Sequence, residues 1–441
     1  MKTSPYHDID EQIVRENSER SEAEKHLNYI CDDIGPRFVG TPGYIASAEY
    51  MADVFRGYGM DRVELEEFTL NVWRRDQSAF VKVLSPSERE LPSYELPYSG
   101  FTSEEGVKGG VIDVGSGTKE EIEALGDQLK GNIALCTGLS SHRSEIYERC
   151  EERGAIAFLL GCPKEGSNFQ TGSIKYNEAG KIPGFSISQE STLLLQRLIE
   201  KGAELELLVK SRSFCEKDVT WNVVAEIEGK ENPDEWVLMG GHLDSHEISP
   251  GAFDNAAGAM LVTETARLLS FHKEKLKRSM RFILFSGEEV GLLGAYHHAK
   301  AHSNELKKAR FMLNSDTPAA GFPKGLHFHA MPHGEQYIDK LSEEMGEPLT
   351  FKTFFHSHSD HYPFVLQGLP TAGMGGGSEG PKMDSWYHME ADTPEKVPFD
   401  SVNAGAAFAA RFLFRASNEE SWPFEHRTQG EVDRLVESLN H

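Results

Sequence analysis

After residue 219 the chain alternates short apolar runs with longer amphipathic segments, a pattern typical of α/β proteins. The apolar runs at 236–240, 281–285 and 310–313 predict buried strands. Segments with helical periodicity lie between and after them, at 256–269, 292–302, 336–345 and 401–415. The polar tail from 416 to 441 holds one short amphipathic segment at 432–439.

The first part of the chain predicts two helices, at 23–31 and 42–56, and two strands, at 62–73 and 78–84. Between 88 and 216 the units become shorter. They predict strands at 110–114, 132–136, 156–160, 184–187 and 204–209 and helices at 119–124, 145–153 and 189–200. A chain of 441 residues is too long for one ordinary core. We therefore predict one domain from residues 1–87 and 217–441, with a smaller domain inserted at 88–216.

Composition narrows the classes of protein and partner. The chain is 39% hydrophobic and 10% aromatic, which indicates a packed globular protein. Its formal charge of −25 argues against a nucleic acid or an anionic membrane as partner, because both require a basic face. The start of the chain lacks the apolar core of a signal peptide, and no long apolar run predicts a membrane span. The five cysteines form no CxxC pair, so we expect free thiols in a cytoplasmic protein.

Residues of the types that bind metal ions follow the predicted strands. Open α/β sheets bind ligands beyond the carboxyl ends of their strands, so these residues are expected to meet there. They are His242, Asp254, Glu289, Asp316 and His388. Three carboxylates and two imidazoles without a thiolate suit two borderline divalent ions such as zinc, with one carboxylate bridging them.

Each of these residues alone has an ordinary explanation, such as a helix cap for Asp254 or a solvated acidic turn for Glu288 and Glu289. Their joint placement at strand ends favours the metal site. Asp244 shares a face with His242 in an extended segment and can orient that imidazole. Asp392 can orient His388 in the same way. Glu288 and Glu289 are adjacent and face opposite ways, so one can bind metal while the other transfers protons.

Taken together, these segments resemble the di-zinc aminopeptidase family with the phosphorylase/hydrolase-like fold, and within it the carboxypeptidase Q (plasma glutamate carboxypeptidase) type. The matching pieces lie at 34–37, 222–227, 241–244, 251–255, 287–289, 315–316 and 388–393. The resemblance covers nearly the whole chain, and it implies an inserted protease-associated domain near residues 88–216. It also implies a three-layer α/β/α catalytic domain with a mixed, mostly parallel sheet.

The resemblance further implies a ligand arrangement. One zinc ion would be held by His242, Asp254 and Asp316, and the other by Asp254, Glu289 and His388, with Asp254 bridging. Co²⁺ or Mn²⁺ are alternatives. The family also leads us to expect a cis peptide at Asp254-Asn255.

The implied reaction is hydrolysis of the amino-terminal bond of a peptide that has a free amino group. Glu288 would be the general base, and Asp244 would support His242. A dipeptidase or carboxypeptidase-type activity is the alternative within the family. A receptor or scaffold without activity is disfavoured, because every ligand position and Glu288 are filled.

Three further segments carry histidines or glycines. The histidine-rich segment at 354–361 could form a second metal site, but we favour Asp360 and His361 as substrate contacts. His297 and His298 are expected on the solvated face of a helix. The glycine-rich segment at 373–380 is expected to be a mobile loop at the mouth of the pocket. The inserted domain could narrow access to the site or mediate a homodimer.

Overall fold

The computed structural model describes residues 4–317, 319–379 and 386–440. Within them the strands are β1 Arg62–Arg74, β2 Phe80–Ser85, β3 Arg89–Leu91, β4 Ser93–Glu95, β5 Val107–Asp113, β6 Ile133–Cys136, β7 Ala157–Gly161, β8 Gly184–Ile187, β9 Glu206–Lys210, β10 Phe214–Ile227, β11 Asn232–His242, β12 Arg278–Phe285, β13 Ala309–Asn314, β14 Phe322–Phe328, β15 Thr350–Thr353 and β16 Thr371–Glu379. The helices are α1 His7–Arg20, α2 Ala23–Asn28, α3 Pro42–Gly57, α4 Lys119–Ala124, α5 Arg143–Glu152, α6 Gln189–Glu200, α7 Ala257–Ser270, α8 Leu293–Ala301, α9 Ser303–Leu306, α10 Gly334–Met345, α11 Tyr362–Leu366, α12 Phe399–Asn418 and α13 Gln429–Glu437.

The larger sheet has the strand order β1-β10-β12-β11-β13-β16-β14-β15. Its centre is parallel, from β12 through β11 and β13 to β16, and β1 and β10 are antiparallel at one side. Apolar residues fill both faces of the central strands. In β12, Phe282 and Leu284 pack in the core with α7 and α12, whereas Ile283 and Phe285 pack on the other face with α8 and α11. This is the expected three-layer α/β/α domain with a mixed sheet.

The smaller sheet has the order β3-β2-β9-β5-β6-β7-β8-β4 and uses the chain from Phe80 to Lys210. Separate apolar clusters cover its two faces. The proposed domain boundaries at 88 and 216 remain a prediction. So does the identification of this region as a protease-associated domain.

The glycine-rich segment is not a loop, so that prediction was wrong over its described part. Residues up to Glu379 form β16, which lies between β13 and β14 in the larger sheet, and Gly380 lies outside the described residues. The glycines are explained by close packing of backbone instead of mobility. A Cβ atom on Gly376 would lie 2.1 Å from the carbonyl oxygen of Ala320, and one on Gly377 would lie 2.3 Å from that of Phe322.

The solvated position expected for His298 was also wrong. Its side chain is fully buried, and its Nδ1 lies 2.9 Å from the carboxylate of Glu66 on β1. The charge partner comes from a distant strand, which the helical pattern of the sequence does not reveal. Among the described helices, none has the length and apolar character needed to cross a membrane. The cytoplasmic location and the homodimer remain predictions.

Candidate metal centre

The central parallel strands deliver their last residues to one edge of the sheet. His242 is the final residue of β11 and pairs in register with Phe285, the final residue of β12. Asp316 lies two residues beyond the end of β13. Because parallel strands end side by side, the polar residues that follow them converge.

The structure brings the five predicted ligand residues together. The Nε2 atom of His242 lies 3.3 Å from Oδ1 of Asp254 and 3.3 Å from Oδ1 of Asp316. The Nε2 atom of His388 lies 3.2 Å from Oδ2 of Asp254 and 3.1 Å from Oε2 of Glu289. The carboxylate of Asp254 therefore lies between the two imidazoles, and each of its oxygens faces one of them.

The backbone around Asp254 is tightly determined. Gly251 adopts a left-handed conformation with φ of 53°, and the Asp254-Asn255 peptide bond is cis, as the resemblance predicts. The side chain of Asn255 donates to the carbonyl of Ser315 at 2.9 Å and accepts from the N–H of Gly258 at 3.1 Å. These bonds tie the start of α7 to the end of β13, next to Asp316.

Asp244 and Asp392 were expected to orient the imidazoles, but their carboxylates accept hydrogen bonds from backbone N–H groups instead. Nδ1 of His242 lies 3.0 Å from the backbone carbonyl of Asp244, while a carboxylate oxygen of that residue is 3.8 Å away. The Asp244 carboxylate accepts from the backbone N–H groups of Glu288 and Glu289, at 3.2 Å each. Backbone N–H groups of a distant segment, and not the imidazole of His242, therefore donate to the carboxylate of Asp244.

Glu288 faces a cavity of about 450 Å³ whose lining includes Asp254, His388 and Arg143. Burial raises the pKa of the Glu288 carboxyl well above its usual range, and the carboxylates of Asp316 and Asp360 raise it further. A carboxyl group whose pKa lies closer to neutral is well suited to exchange protons in catalysis.

Asp360 and His361, which were expected to contact the substrate, are both fully buried. Neither carboxylate oxygen of Asp360 has a hydrogen-bond partner among the described residues, and burial raises its pKa well above the usual range. His361 lines a second cavity, of about 350 Å³, which Asp316 also borders. Ser359 was not predicted, and it is the residue of this segment that contacts the centre. Its hydroxyl donates to Oδ2 of Asp316 at 2.5 Å.

The histidine-rich segment does bring ring nitrogens together, those of His329, His356 and His361. The rings of His329 and His361 are stacked, with centroids 3.6 Å apart and an interplanar angle of 19°. The nitrogen lone pairs of stacked imidazoles lie in nearly parallel, separate planes, so they do not converge on one tetrahedral ion. The geometry therefore favours a wall of the cavity over a second metal site.

His246 belongs to the cluster but was missed in the sequence. Its Nε2 lies 2.8 Å from Oε2 of Glu289, and its side chain is 1% exposed. A signal was present in the chain, because His242, Asp244 and His246 occur at every second position from the last residue of β11 onwards.

A carboxylate–imidazole cluster at the carboxyl edge of parallel strands is a candidate metal site of the kind that metal-dependent hydrolases use. Residues 222–413, which contain the whole cluster, match the sequence profile of peptidase family M28. This segment is similar to the peptidases of family M28, and together with the relatives below the similarity supports a metallo-exopeptidase hydrolase.

The chain is similar to curated proteins over most of its length. It is 25% identical over 414 residues to carboxypeptidase Q of Xenopus laevis, covering 91% of this chain and 82% of that protein. It is 26% identical over 406 residues to aminopeptidase YwaD of Bacillus subtilis, covering 90% of this chain and 85% of the relative.

Solved structures share the fold. A peptidase M28 precursor from Shewanella amazonensis superposes with a TM-score of 0.82 at 24% identity, covering 95% of this chain and 99% of its own. BSAP, described as a zinc aminopeptidase from Bacillus subtilis, has a TM-score of 0.73 at 24% identity, covering 90% and 95%.

Proposed function

We propose that this metallo-exopeptidase is a two-zinc aminopeptidase. The observation that carries the proposal is the carboxylate of Asp254, whose two oxygens face the imidazoles of His242 and His388 at 3.3 and 3.2 Å. His242, Asp254 and Asp316 would hold one ion, and Asp254, Glu289 and His388 the other. The donor set fits, because imidazole and carboxylate without thiolate suit zinc, and also Co²⁺ or Mn²⁺.

When bound, the two ions would lower the pKa of a water molecule and polarise the carbonyl of the scissile bond. Glu288 takes the proton of the attacking water and passes it to the leaving amine. The carboxylate of Asp244 accepts a hydrogen bond from the backbone N–H of Glu288 and so helps to hold the carboxyl group of Glu288 in the cavity. The partly buried position of Glu288 supports this role, since desolvation raises the carboxyl pKa well above its usual range.

The substrate would be a peptide with a free amino terminus. The cavity beside the centre is lined by Asp254, Glu288, Glu289 and Asp316, so a free, unprotonated amino group could bind a metal ion held there. The similarity to aminopeptidase YwaD supports the same assignment.

Arg143 supports a second candidate, a dipeptidase or carboxypeptidase-type activity. Its side chain borders the same cavity, and its Nε donates to the carbonyl of Ser173 at 3.2 Å. The remaining guanidinium N–H groups could bind the terminal carboxylate of a short substrate. Comparing aminoacyl-nitroanilides with dipeptides separates the two activities. In Arg143→Gln, a rise in KM confined to dipeptides would favour the second.

Glu288→Gln tests the mechanism. We expect kcat to fall by about 10²- to 10⁴-fold, because the general base is lost, while the zinc content is unchanged. Glu145→Gln removes an exposed carboxylate from the rim of the same cavity and is the matched control. Full activity in Glu288→Gln, or peptidase activity that survives complete metal chelation, would rule the proposal out.

We also propose that residues 88–216 form a protease-associated-like domain that shapes access to the site. The region reaches the centre directly. The hydroxyl of Ser173 donates to the backbone carbonyl of Glu289 at 2.7 Å, and the N–H of Thr171 donates to that of His388 at 2.9 Å.

A further inference from the structure

His246 is a buried imidazole at the candidate metal centre for which the ligand set above has no role. Its side chain is 1% exposed. The ring is stacked with that of Phe38 at a centroid distance of 6.1 Å, and it meets the ring of His388 at 4.5 Å and an interplanar angle of 73°. The aromatic contacts fix the ring plane, so the direction of its nitrogens is well determined.

Neither ring nitrogen of His246 makes a hydrogen bond within the described part of the chain. The distance of 2.8 Å between its Nε2 and Oε2 of Glu289 is normal for a hydrogen bond. The angle at the nitrogen is therefore what excludes a hydrogen bond between these two atoms. A buried imidazole without any hydrogen bond is unfavourable in free energy. Such a group calls for a partner that the protein atoms do not provide.

The position of His246 also differs from that of a residue that only orients a ligand. An orienting side chain binds the carboxylate oxygen that points away from the metal. His246 and His388 instead approach the same oxygen of Glu289, Oε2, at 2.8 and 3.1 Å. One atom each from His246, Glu289 and His388 lie within 4.8 Å of one another, close enough to bind one ion together.

We infer that His246 is an additional protein ligand at the metal position formed by Asp254, Glu289 and His388. The inference rests on the two-zinc function proposed above. It makes the two positions unequal, because this one has two imidazoles and the position of His242 and Asp316 has one. Nitrogen ligands favour Zn²⁺ and Co²⁺ over Mn²⁺, so the position of His246 should fill first with zinc and keep it longer.

The test uses the full chain with Co²⁺ in place of zinc and counts imidazole N–H signals shifted by the paramagnetic ion in proton NMR. A ligating histidine carries its proton on the other ring nitrogen, so each ligand contributes one signal. We expect three signals in the wild type, from His242, His246 and His388, and two in His246→Ala. Competition with a chelator should show one of the two Co²⁺ affinities at least about tenfold weaker in the variant.

His358→Ala is the matched control, because this exposed histidine borders the same cavity and should leave the signals and both affinities unchanged. His246→Gln keeps a polar side chain in case the alanine variant does not fold, and the wild-type count is informative without any variant. Two signals in the wild type would overturn the inference, even if His246→Ala weakened binding, because His246 would then only position Glu289. Failure of the wild type to bind Co²⁺ at all would overturn the two-metal function as well.

Discussion

The backbone N–H of Asp254 donates a hydrogen bond to the carboxylate of Asp392 at 3.0 Å. The same carboxylate accepts from the N–H of Phe253 at 2.7 Å, and Asp392 is 1% exposed. Asp392 lies four residues after His388, so the segment that supplies one imidazole also fixes the carboxylate between the two imidazoles. The precision of the centre therefore depends on a residue outside its ligand set.

Replacing Asp392 with asparagine should disturb this arrangement. Asparagine offers one acceptor oxygen in place of two, and its NH₂ group would face a backbone donor. We expect metal affinity to fall by about 10- to 100-fold, measured by competition with a chromophoric chelator. The exposed neighbour Glu390 supplies the control Glu390→Gln. Equal affinity in Asp392→Asn and the wild type would contradict this role.

Gly258 allows α7 to approach the sheet. A Cβ atom there would lie 2.0 Å from Oδ1 of Asn255 and 2.5 Å from the carbonyl oxygen of Ser315. We expect Gly258→Ala to lower the free energy of unfolding by about 1–3 kcal/mol or more, since the backbone must shift. Thermal or urea unfolding measures it.

The control for that substitution is Gly57→Ala in α3, where a Cβ atom would meet nothing within 4 Å. That change should be neutral or stabilising, by up to about 1 kcal/mol, because alanine favours the helix. If the two variants were equally stable, close packing would not be the reason for glycine at 258.

Glu95 on β4 should make stability depend on pH. Its carboxyl is buried, and burial raises its pKa to about 7, although the hydroxyl groups of Ser211 and Ser213 donate to it. A carboxyl whose pKa is raised on folding contributes stability that is complete below the unfolded value, near 4.5, and is lost as the pH rises through about 7.

Glu95→Gln should therefore be more stable than the wild type at about pH 8, by about 2–3 kcal/mol, because glutamine carries no charge to bury. The difference should shrink at about pH 5, where Glu95 is protonated in the folded protein. Denaturant unfolding at both pH values measures it, with the exposed neighbour Glu90 as the control Glu90→Gln. A stability difference that does not change with pH would contradict the assignment.

Glu66 on the edge strand β1 is linked by hydrogen bonds, through Asn222, to the segment that carries the proposed base Glu288. Its carboxylate accepts from the side chains of Asn222 and His302 at 2.7 Å each and lies 2.9 Å from Nδ1 of His298. The Oδ1 atom of Asn222 accepts from the N–H of Ser286 at 3.0 Å, two residues before Glu288.

Burial opposes the charge of Glu66, but the hydrogen bonds from His298 and His302 hold its pKa well below the usual range. This stabilisation is present above the unfolded pKa and is lost as the pH falls below it. Glu66→Gln should cost about 1–3 kcal/mol at neutral pH, because it removes the charged acceptor of these hydrogen bonds. The free energy of unfolding, measured from neutral to acidic pH, should then fall less steeply in Glu66→Gln than in the wild type. Glu67→Gln, on the exposed side of β1, is the control, and an equal cost in both variants would contradict the network.

The sequence by itself determined the class of fold and five of the residues that meet at the centre. Parallel strands covered on both faces are continuous apolar runs, so the runs ending at His242, Phe285 and Asn314 are visible without a structure. The polar residues after such strands share one edge of the sheet, which is why five scattered ligand types could be predicted to meet.

Only the tertiary structure decided which groups each of these residues contacts. Asp392 binds backbone 139 residues away, and the glycines of β16 accommodate carbonyl groups of a neighbouring segment. His298 on α8 is buried beside Glu66, which comes from the distant strand β1. His246 joins Glu289 and His388 from three separate segments. Hydrophobic periodicity records which side of an element is buried, but it carries no information about the through-space partner of a polar atom, and those partners set the chemistry of the site.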